Sequence, residues 1–365
     1  MAYDPNIADF LDESSVRLEM ARVFQGCAGC RRCVDACPAF RDMFTALDLV
    51  GNEADRMTPH LQDQIADSCF DCGMCLQGCP YAPHLDSAWA EGIDVPSLMI
   101  RHRAMARERG LHGLRRRLAD ELAVRRGVAQ RLARRIPRGS RNEPTNFHDW
   151  FLSRPRVHSI NAQARVVFSS SCSLEFDDLR IGVDVVKAFE HNGVECSMLE
   201  KYVPCGCDAL AVGDIGGFTR RASRNVRELS NVVDGGNDIV VLSPRCLDVM
   251  RTRYPQFIGG PETTKVIGNM YGPAEYLMLL RERQLLDLQF PGSRPESVRY
   301  QVSCPSRNVG EASATEALLR LAGIGVTRVD RCCEGRTCQD EVEVSGTGTV
   351  HPLHLLARVY GLAKE

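Results

Sequence analysis

Eight cysteines near the start of the chain form two runs of identical spacing. Each run reads Cys-x-x-Cys-x-x-Cys-x-x-x-Cys-Pro: Cys27, Cys30, Cys33 and Cys37 precede Pro38, and Cys69, Cys72, Cys75 and Cys79 precede Pro80. Each iron of a 4Fe-4S cubane takes one protein thiolate, and cysteines three residues apart let one tight loop reach three corners of a cluster. Zinc sites use Cys-x-x-Cys pairs instead. The runs therefore predict two 4Fe-4S clusters.

The fourth ligand of each cluster is expected from the other run, because the last cysteine of each run in two-cluster ferredoxins crosses to the other cluster. The first cluster would then be held by Cys27, Cys30, Cys33 and Cys79. The second cluster would be held by Cys69, Cys72, Cys75 and Cys37.

Such clusters indicate electron transfer. A cubane with four cysteine ligands has no open coordination position, so it exchanges single electrons and does not bind substrate. No Gly-x-Gly-x-x-Gly follows a predicted strand, so any flavin or nicotinamide site must belong to a partner. We expect an electron-transfer subunit that relays electrons between a flavoprotein dehydrogenase and a quinone, ferredoxin or other redox subunit.

Charged residues inside the two cysteine runs differ in sign. Arg31 and Arg32 lie in the first run, and Asp71 lies in the second. Reduction adds negative charge to an anionic cluster, so nearby cations raise its potential and acids lower it. The first cluster is predicted to have the higher potential, unless these side chains point into water and are screened.

The chain is too long for one small cluster-binding module. Its 365 residues fit two or three domains. It contains 17 cysteines but opens MAYDPNIADF, without a basic start or an apolar signal core, so we expect the reducing cytoplasm rather than a disulfide framework. No apolar run approaches the roughly 20 residues that span a bilayer, so membrane association would be peripheral, at the inner face, or through a partner.

A strongly basic segment follows the cysteine runs. Between Arg101 and Arg141 there are 14 arginines and three acids. Leucines at helical spacing from Leu111 to Leu122 predict an amphipathic helix with an arginine face. Its arginines could be solvated or meet an acidic partner, or the helix could lie on an anionic membrane. Nucleic acid is not expected as a partner, because no aromatic residues interleave with the basic ones.

The segment RGSRNEPTN then marks a domain boundary. Beyond it, strands and helices alternate, as in a parallel α/β sheet. VRYQVSC, ending at Cys304, repeats VVFSSSC, ending at Cys172, which indicates a duplicated domain. The fold class is therefore α plus α/β, with an α-helical domain at 1–145 and repeats at 160–290 and 296–365.

Each repeat contains four cysteines that could form a further metal site at the carboxyl ends of predicted strands. These are Cys172, Cys205, Cys207 and Cys246 in the first repeat, and Cys304, Cys332, Cys333 and Cys338 in the second. His351 and His354 could complete a site, or could be surface residues. Cys196 lies within a strand and is interpreted as a small buried apolar residue.

The paired cysteine runs followed by two cysteine-rich repeats resemble a fusion of the C and B subunits of heterodisulfide reductase in one chain. The arrangement is also similar to the iron-sulfur subunits of glycolate oxidase and anaerobic glycerol-3-phosphate dehydrogenase. The resemblance implies an α-helical dicluster ferredoxin domain followed by a duplicated cysteine-rich domain of the Cys-Cys-Gly type. Full repeats in heterodisulfide reductase hold noncubane 4Fe-4S clusters that cleave disulfides.

Both repeats depart from that family pattern. Cys205-Gly206-Cys207 stands in place of Cys-Cys-Gly in the first repeat, and Glu334 follows Cys332-Cys333 in the second. A noncubane cluster, a conventional cluster or zinc, and no metal at all remain alternatives for each repeat. The alternative function is a heterodisulfide reductase-like catalytic subunit that reduces a disulfide or other sulfur substrate at these cysteines.

Overall fold

A computed structural model of the 365-residue chain gives the fold. It describes residues 3–35, 37–83, 92–110, 147–155, 162, 164–169, 179–199, 203–329, 339–344 and 348–363. These residues form two compact units. The first unit takes in the described residues of Met1–Ala133 and Asp208–Phe218, and the second takes in those of Arg134–Cys207, Thr219–Arg331 and Cys338–Glu365.

The described part of Met1–Ala133 is helical. Its helices are α1 (Glu13–Cys30), α2 (Pro38–Leu49), α3 (Pro59–Ser68), α4 (Met74–Gln77) and α5 (Val95–Glu108), with a 3-10 turn at Ala54–Arg56. Short polar side chains begin three of the helices, where backbone N–H groups lack partners within the helix. Asp12 accepts from the Ser15 N–H, Thr58 from the Leu61 N–H and Asp94 from the Ser97 N–H.

These helices enclose one apolar core. Its buried members include Met20, Phe24, Met43, Phe44 and Leu47, and six of the eight cysteines of the two runs pack against it. Helices α1 and α5 contact each other, and α5 also contacts α3 and α4. The cysteine loops are therefore held by neighbouring helices of one folded unit.

The second unit begins with α6 (Phe147–Ser153) and contains a parallel sheet. The elements in chain order are β1 (Ala164–Ser169), α7 (Leu179–His191), β2 (Val194–Met198), α8 (Cys207–Ala211), α9 (Ile215–Asp234), β3 (Asp238–Val241), α10 (Pro244–Phe257), α11 (Gly260–Gly268), β4 (Met270–Tyr271) and α12 (Pro273–Glu282). Most of α8 and the start of α9 lie in Asp208–Phe218 and belong to the first unit. The strand order is β2-β1-β3-β4, and every pair is parallel. Val166 is paired with Cys196 on one side and Asp238 on the other.

A second sheet follows with mixed strand directions. Its elements are β5 (Ser297–Gln301), α13 (Cys304–Asn308), α14 (Glu311–Leu321), β6 (Gly325–Val329), β7 (Glu341–Val344), β8 (Gly348–Val350) and α15 (Pro352–Val359). The strand order is β6-β5-β7-β8; β6 is parallel to β5, whereas β7 and β8 are antiparallel to their neighbours.

Each sheet lies within one of the two predicted repeats, and each begins with a parallel β-α-β unit. Both sheets contribute helices to one core, in which Phe168, Phe189 and Tyr276 pack with Leu318 and Leu356. The helix-rich α plus α/β class is confirmed. The ferredoxin and Cys-Cys-Gly architectures and the boundaries at 1–145, 160–290 and 296–365 stay predictions. Among the described residues, no helix is both long and apolar enough to span a bilayer.

Candidate iron-sulfur site

Two cavities of similar size lie among the helices of the first unit. The first has about 410 Å³ of space between its walls, part of it open to solvent, and is lined by Cys27, Cys30, Cys33, Cys75 and Cys79. The second has about 470 Å³, also partly open to solvent, and is lined by Cys37, Cys69, Cys72 and Cys75. Each cavity thus receives the triplet of one run together with the last cysteine of the other run.

One wall is common to both cavities. Phe40, Cys75 and Val95 line the first cavity and the second alike. Groups bound in the two cavities would therefore be near neighbours, separated by side chains of α2, the second cysteine loop and α5. Short separation between redox groups is what a relay of single electrons needs.

In both cysteine triplets, the residue after the middle cysteine has a left-handed backbone conformation. Helix α1 contains Cys27 and ends at Cys30, and its C-cap Arg31 has φ 51° and donates its N–H to the Cys27 carbonyl. In the second run the residue after the middle cysteine is Gly73, with φ 70°. A left-handed residue turns the chain sharply. In both runs this turn brings the third cysteine back toward the cavity.

The backbone after each Cys-Pro pair places N–H groups near sulfur. Cys37 is the N-cap of α2 without a side-chain capping bond, and the N–H groups of Phe40 and Ala39 lower its pKa against the larger effect of burial. The N–H groups of Tyr81 and Ala82, at the same two offsets, act in the same way on the pKa of Cys79. Proline itself has no N–H, and it suits the first position of a helix. Such N–H groups stabilise negative charge on a ligand sulfur.

Burial opposes ionisation of these thiols. Burial raises the pKa of Cys27 to about 12, and neighbouring Cys33, Cys79 and Cys30 add to the effect. Burial also raises the pKa of Cys37 to about 11, against the pull of its two N–H donors. The pKa of Cys75 is well above its usual value for the same first reason, with Cys69 and Cys72 contributing. Thiolates crowded in this way require positive charge between them, which metal ions provide.

The cysteine ligands and their distribution around the cavities fit clusters of several metal ions. Among the described residues, no three His, Cys, Asp or Glu side chains converge as the ligands of a single metal ion would. The cysteines are instead distributed around the walls of two cavities. The irons of a cubane occupy separate corners, so its ligands surround a volume and do not meet at a point. The arrangement of these cysteines therefore fits iron-sulfur clusters.

The arginines near the cavities differ in burial, and the buried ones are not those that the cysteine runs contain. Arg31 is partly exposed and is paired with Asp48, and Arg32 is exposed at the first cavity. Arg103, by contrast, is 4% exposed and donates to the Ala66 carbonyl at 3.1 Å and to the Cys69 carbonyl. Arg101 is 1% exposed. These two arginines at the start of the basic segment are buried. Its continuation at 111–146 lies outside the described residues.

Three cysteines of the first repeat lie near one tyrosine. Cys205 and Cys246 are buried. Burial raises the pKa of Tyr254, and Cys205, Cys246 and Cys207 add to the shift. The Tyr254 hydroxyl donates to the Cys205 carbonyl at 3.1 Å and accepts from Asn225 at 2.9 Å. Cys172, the fourth candidate ligand of this repeat, lies outside the described residues. A metal site here stays a prediction.

In the second repeat only Cys304 is described, and it is buried at the start of α13. Cys332, Cys333 and Cys338 lie outside the described residues. His351 caps α15 by accepting from the Leu353 N–H, and His354 bonds Asp184 at 2.5 Å. Both histidines thus have structural partners. Cys196 lies in β2 against the core of the second unit, in keeping with an apolar packing role.

Comparison with known proteins supports an iron-sulfur site in the first unit. Residues 19–80 match the family described as "4Fe-4S dicluster domain". The chain is also similar to the C subunit of anaerobic glycerol-3-phosphate dehydrogenase from Escherichia coli strain K12 and from Escherichia coli O157:H7. Each is 25% identical over 193 residues, covering 51% of this chain and 47% of the relative. The chain thus spans about half the length of these curated relatives. No solved structure matches it.

Residues 19–80 match a 4Fe-4S dicluster domain and contain both cysteine runs, so the comparisons support an iron-sulfur protein that is similar to a dehydrogenase subunit. The resemblance seen in the cysteine runs is confirmed to this extent. The eight cysteines were recognisable from the sequence, whereas the backbone N–H groups behind each Cys-Pro pair and the burial of Arg103 were not predicted. The Cys-Pro repeat itself was a visible signal for the donors.

Proposed function

We propose that this chain is the electron-transfer subunit of an oxidoreductase complex and relays single electrons through two 4Fe-4S clusters. Cys27, Cys30, Cys33 and Cys79 would hold the first cluster, and Cys69, Cys72, Cys75 and Cys37 the second. The observation that carries the proposal is the pair of adjacent cavities, each lined by one triplet and the last cysteine of the other run.

When bound, each cluster supplies reversible one-electron oxidation and reduction. The protein residues hold the two sites at a fixed separation, because α2 and α5 contribute to both cavities through Phe40 and Val95. The crossed ligands Cys37 and Cys79 tie the two loops together. Apolar side chains such as Phe24, Phe44 and Ile93 limit water around the cavities. Because little water is present, little solvent has to reorient when a cluster gains or loses an electron.

The partners are part of the proposal. A flavoprotein dehydrogenase would deliver electrons, because two-electron chemistry needs a site that this sequence does not supply. The acceptor would be a quinone, ferredoxin or other redox subunit. The relatives are subunits of a dehydrogenase by name, which supports a place in a multi-subunit enzyme. The complex would work in the cytoplasm, or at the inner face of the membrane through a quinone-reactive partner.

Crossed ligation can be tested with single alanine variants. Cys30→Ala removes a ligand that belongs to the first cluster under any assignment, and Cys72→Ala does the same for the second. Crossed ligation predicts that Cys79→Ala gives the electron paramagnetic resonance spectrum of Cys30→Ala, and that Cys37→Ala gives that of Cys72→Ala. The reverse pairing would show that each run serves its own cluster.

A matched control is available in the second unit. Cys196 is largely buried in β2, and its pKa is raised first by burial, as for the cluster cysteines. Cys196→Ala should keep about eight irons per chain, whereas each ligand variant should lose up to about four. Equal iron loss in Cys196→Ala and in the ligand variants would contradict the assignment.

A second function is favoured by the cysteines around Tyr254. Cys205 and Cys246 are buried close to this tyrosine, as expected if the first repeat holds a further metal site for disulfide or sulfur chemistry. Iron above about eight per chain, or bound zinc, that is lost in Cys205→Ala would support such a site. Unchanged metal content in that variant would leave the electron relay as the whole function.

A further inference from the structure

Arg103 lies in the middle of α5, where that helix passes the end of α3. The residue is 4% exposed. Its Nη2 donates to the carbonyl of Ala66, at 3.1 Å, and to that of Cys69. These are among the last carbonyls of α3, which no residue inside the helix can satisfy. A cation is favourable at a helix C-terminus for the same reason.

The end of α3 is also the start of the second cysteine loop. Cys69 is the C-cap of α3, and its own N–H donates to the Ala66 carbonyl. Arg103 therefore binds the backbone from which the first ligand of the second cluster projects. The guanidinium fixes the direction in which the loop leaves the helix.

The charge of Arg103 is uncompensated among the described residues. No described carboxylate is paired with it, and its buried Nε finds no acceptor there. An unpaired buried guanidinium is costly. The other buried arginine of this helix is different, because Arg101 donates to the carbonyls of Asp9 and Phe10 and to the Ser15 hydroxyl. A negative group next to Cys69 would balance Arg103.

The cluster proposed for the second cavity is such a group. A cluster held by thiolates is anionic, and reduction increases its negative charge. We propose that the buried charge of Arg103 raises the reduction potential of the second cluster. This inference rests on the proposed function, since it needs a cluster on Cys69, Cys72, Cys75 and Cys37.

Local electrostatics agree with the direction of this effect. Arg103 is 4% exposed and donates to the Cys69 carbonyl, whereas Asp71 in the same loop is more exposed. Charges separated by protein interact more strongly than charges separated by water. The buried Arg103 therefore outweighs the more exposed Asp71. The sequence-based comparison of Arg31 and Arg32 with Asp71 omitted the dominant cation of the second loop.

The test is a redox titration of the anaerobically purified full chain followed by electron paramagnetic resonance, with the two signals assigned from Cys30→Ala and Cys72→Ala. Arg103→Gln should lower the midpoint potential of the second cluster more than that of the first. Arg103→Lys should stay closer to wild type, because the charge remains. Arg101→Gln removes an equally buried arginine from the same helix and should leave the difference between the two potentials unchanged.

Equal potentials in wild type and Arg103→Gln, or equal shifts of both clusters, would overturn the inference. If Arg103→Gln loses the second cluster, its potential cannot be measured in that variant. The inference is then tested by the potentials of Arg103→Lys and by the salt dependence of the wild-type potentials. Screening by salt acts on exposed charges. The potential of the second cluster should therefore change less with added salt than that of the first, and an equal change would overturn the inference. Wild-type protein without iron would refute the proposed function instead.

Discussion

Replacing Glu311 with glutamine should change the pH dependence of stability in the second unit. Glu311 is the first residue of α14 and is 3% exposed. Its carboxylate accepts from the N–H of Ala274 at 2.6 Å and of Glu275 at 3.1 Å, at the start of α12. One buried carboxyl thus joins a helix that follows the first sheet to a helix of the second.

The magnitude follows from the ionisation of this carboxyl. Burial raises the pKa of Glu311 from 4.5 to about 7; the two N–H donors oppose the shift, and the charges of Glu275 and Asp340 add to it. One pKa unit corresponds to about 1.4 kcal/mol. Because the folded pKa is above the unfolded one, the stabilisation is complete below about pH 4.5 and is lost as pH rises through about 7. The loss between about pH 5 and pH 8 is roughly 2 to 3 kcal/mol.

Glutamine cannot ionise, so the free energy of unfolding of Glu311→Gln should not fall in this way. Relative to wild type, it should rise by roughly 2 to 3 kcal/mol over the same pH interval. The assay is urea unfolding at both pH values, read by hydrogen exchange in peptides from β1 and β5. Glu316→Gln, on the same helix, controls for the loss of one negative charge. A stability difference between wild type and Glu311→Gln that does not vary with pH would refute the reasoning.

Three further predictions concern packing and hydrogen bonding. Tyr254→Phe should lower the free energy of unfolding by about 1 to 3 kcal/mol in a urea titration, because it leaves buried polar groups of Asn225 and Cys205 without this partner; no loss would contradict the described contacts. Gly182→Ala should cost about 1 to 3 kcal/mol in the same assay, because its Cβ would overlap the Phe147 ring, whereas Gly268→Ala meets nothing within 4 Å and should be neutral or better. Gly213→Ala should lower the melting temperature more than Gly236→Ala: both have positive φ, but only at Gly213 would the Cβ overlap the Arg103 backbone. Equal effects in either glycine pair would show that the clashes are relieved.

The site could be predicted further from sequence than the fold around it. The spacing of Cys27, Cys30 and Cys33 carries the chemistry directly, because one loop must reach three corners of one cluster. The grouping of Cys79 with the first triplet came from the behaviour of two-cluster ferredoxins, and the first cavity has these four cysteines on its walls. That ligation remains a proposal.

Arg103 could not be assigned from its neighbours in sequence. It opens a region rich in arginine, so a solvated face was the natural interpretation. The signal was the run VPSLMIRHRAMA, in which Arg101, His102 and Arg103 interrupt apolar residues on every side. Three consecutive residues point in different directions around a helix, so they cannot all face water when the helix is packed on several sides.

The direction of β7 was also beyond the sequence. The repeated VRYQVSC motif predicts that the second domain copies the first, and the parallel pairs β1-β2 and β5-β6 do correspond. The third strand differs, because β7 is antiparallel to β5 whereas β3 is parallel to β1. The repeated motif does not determine the direction of this strand.

The most direct test of the central claim is iron and sulfide analysis of anaerobically purified full-length chain, combined with electron paramagnetic resonance after reduction. Two 4Fe-4S clusters predict about eight irons and about eight sulfides per chain, with two signals that interact because the cavities share a wall. Iron lost together with one of those signals in Cys75→Ala, and retained in Cys196→Ala, would complete the agreement. Zinc in place of iron, or colourless protein after reconstitution, would contradict the account.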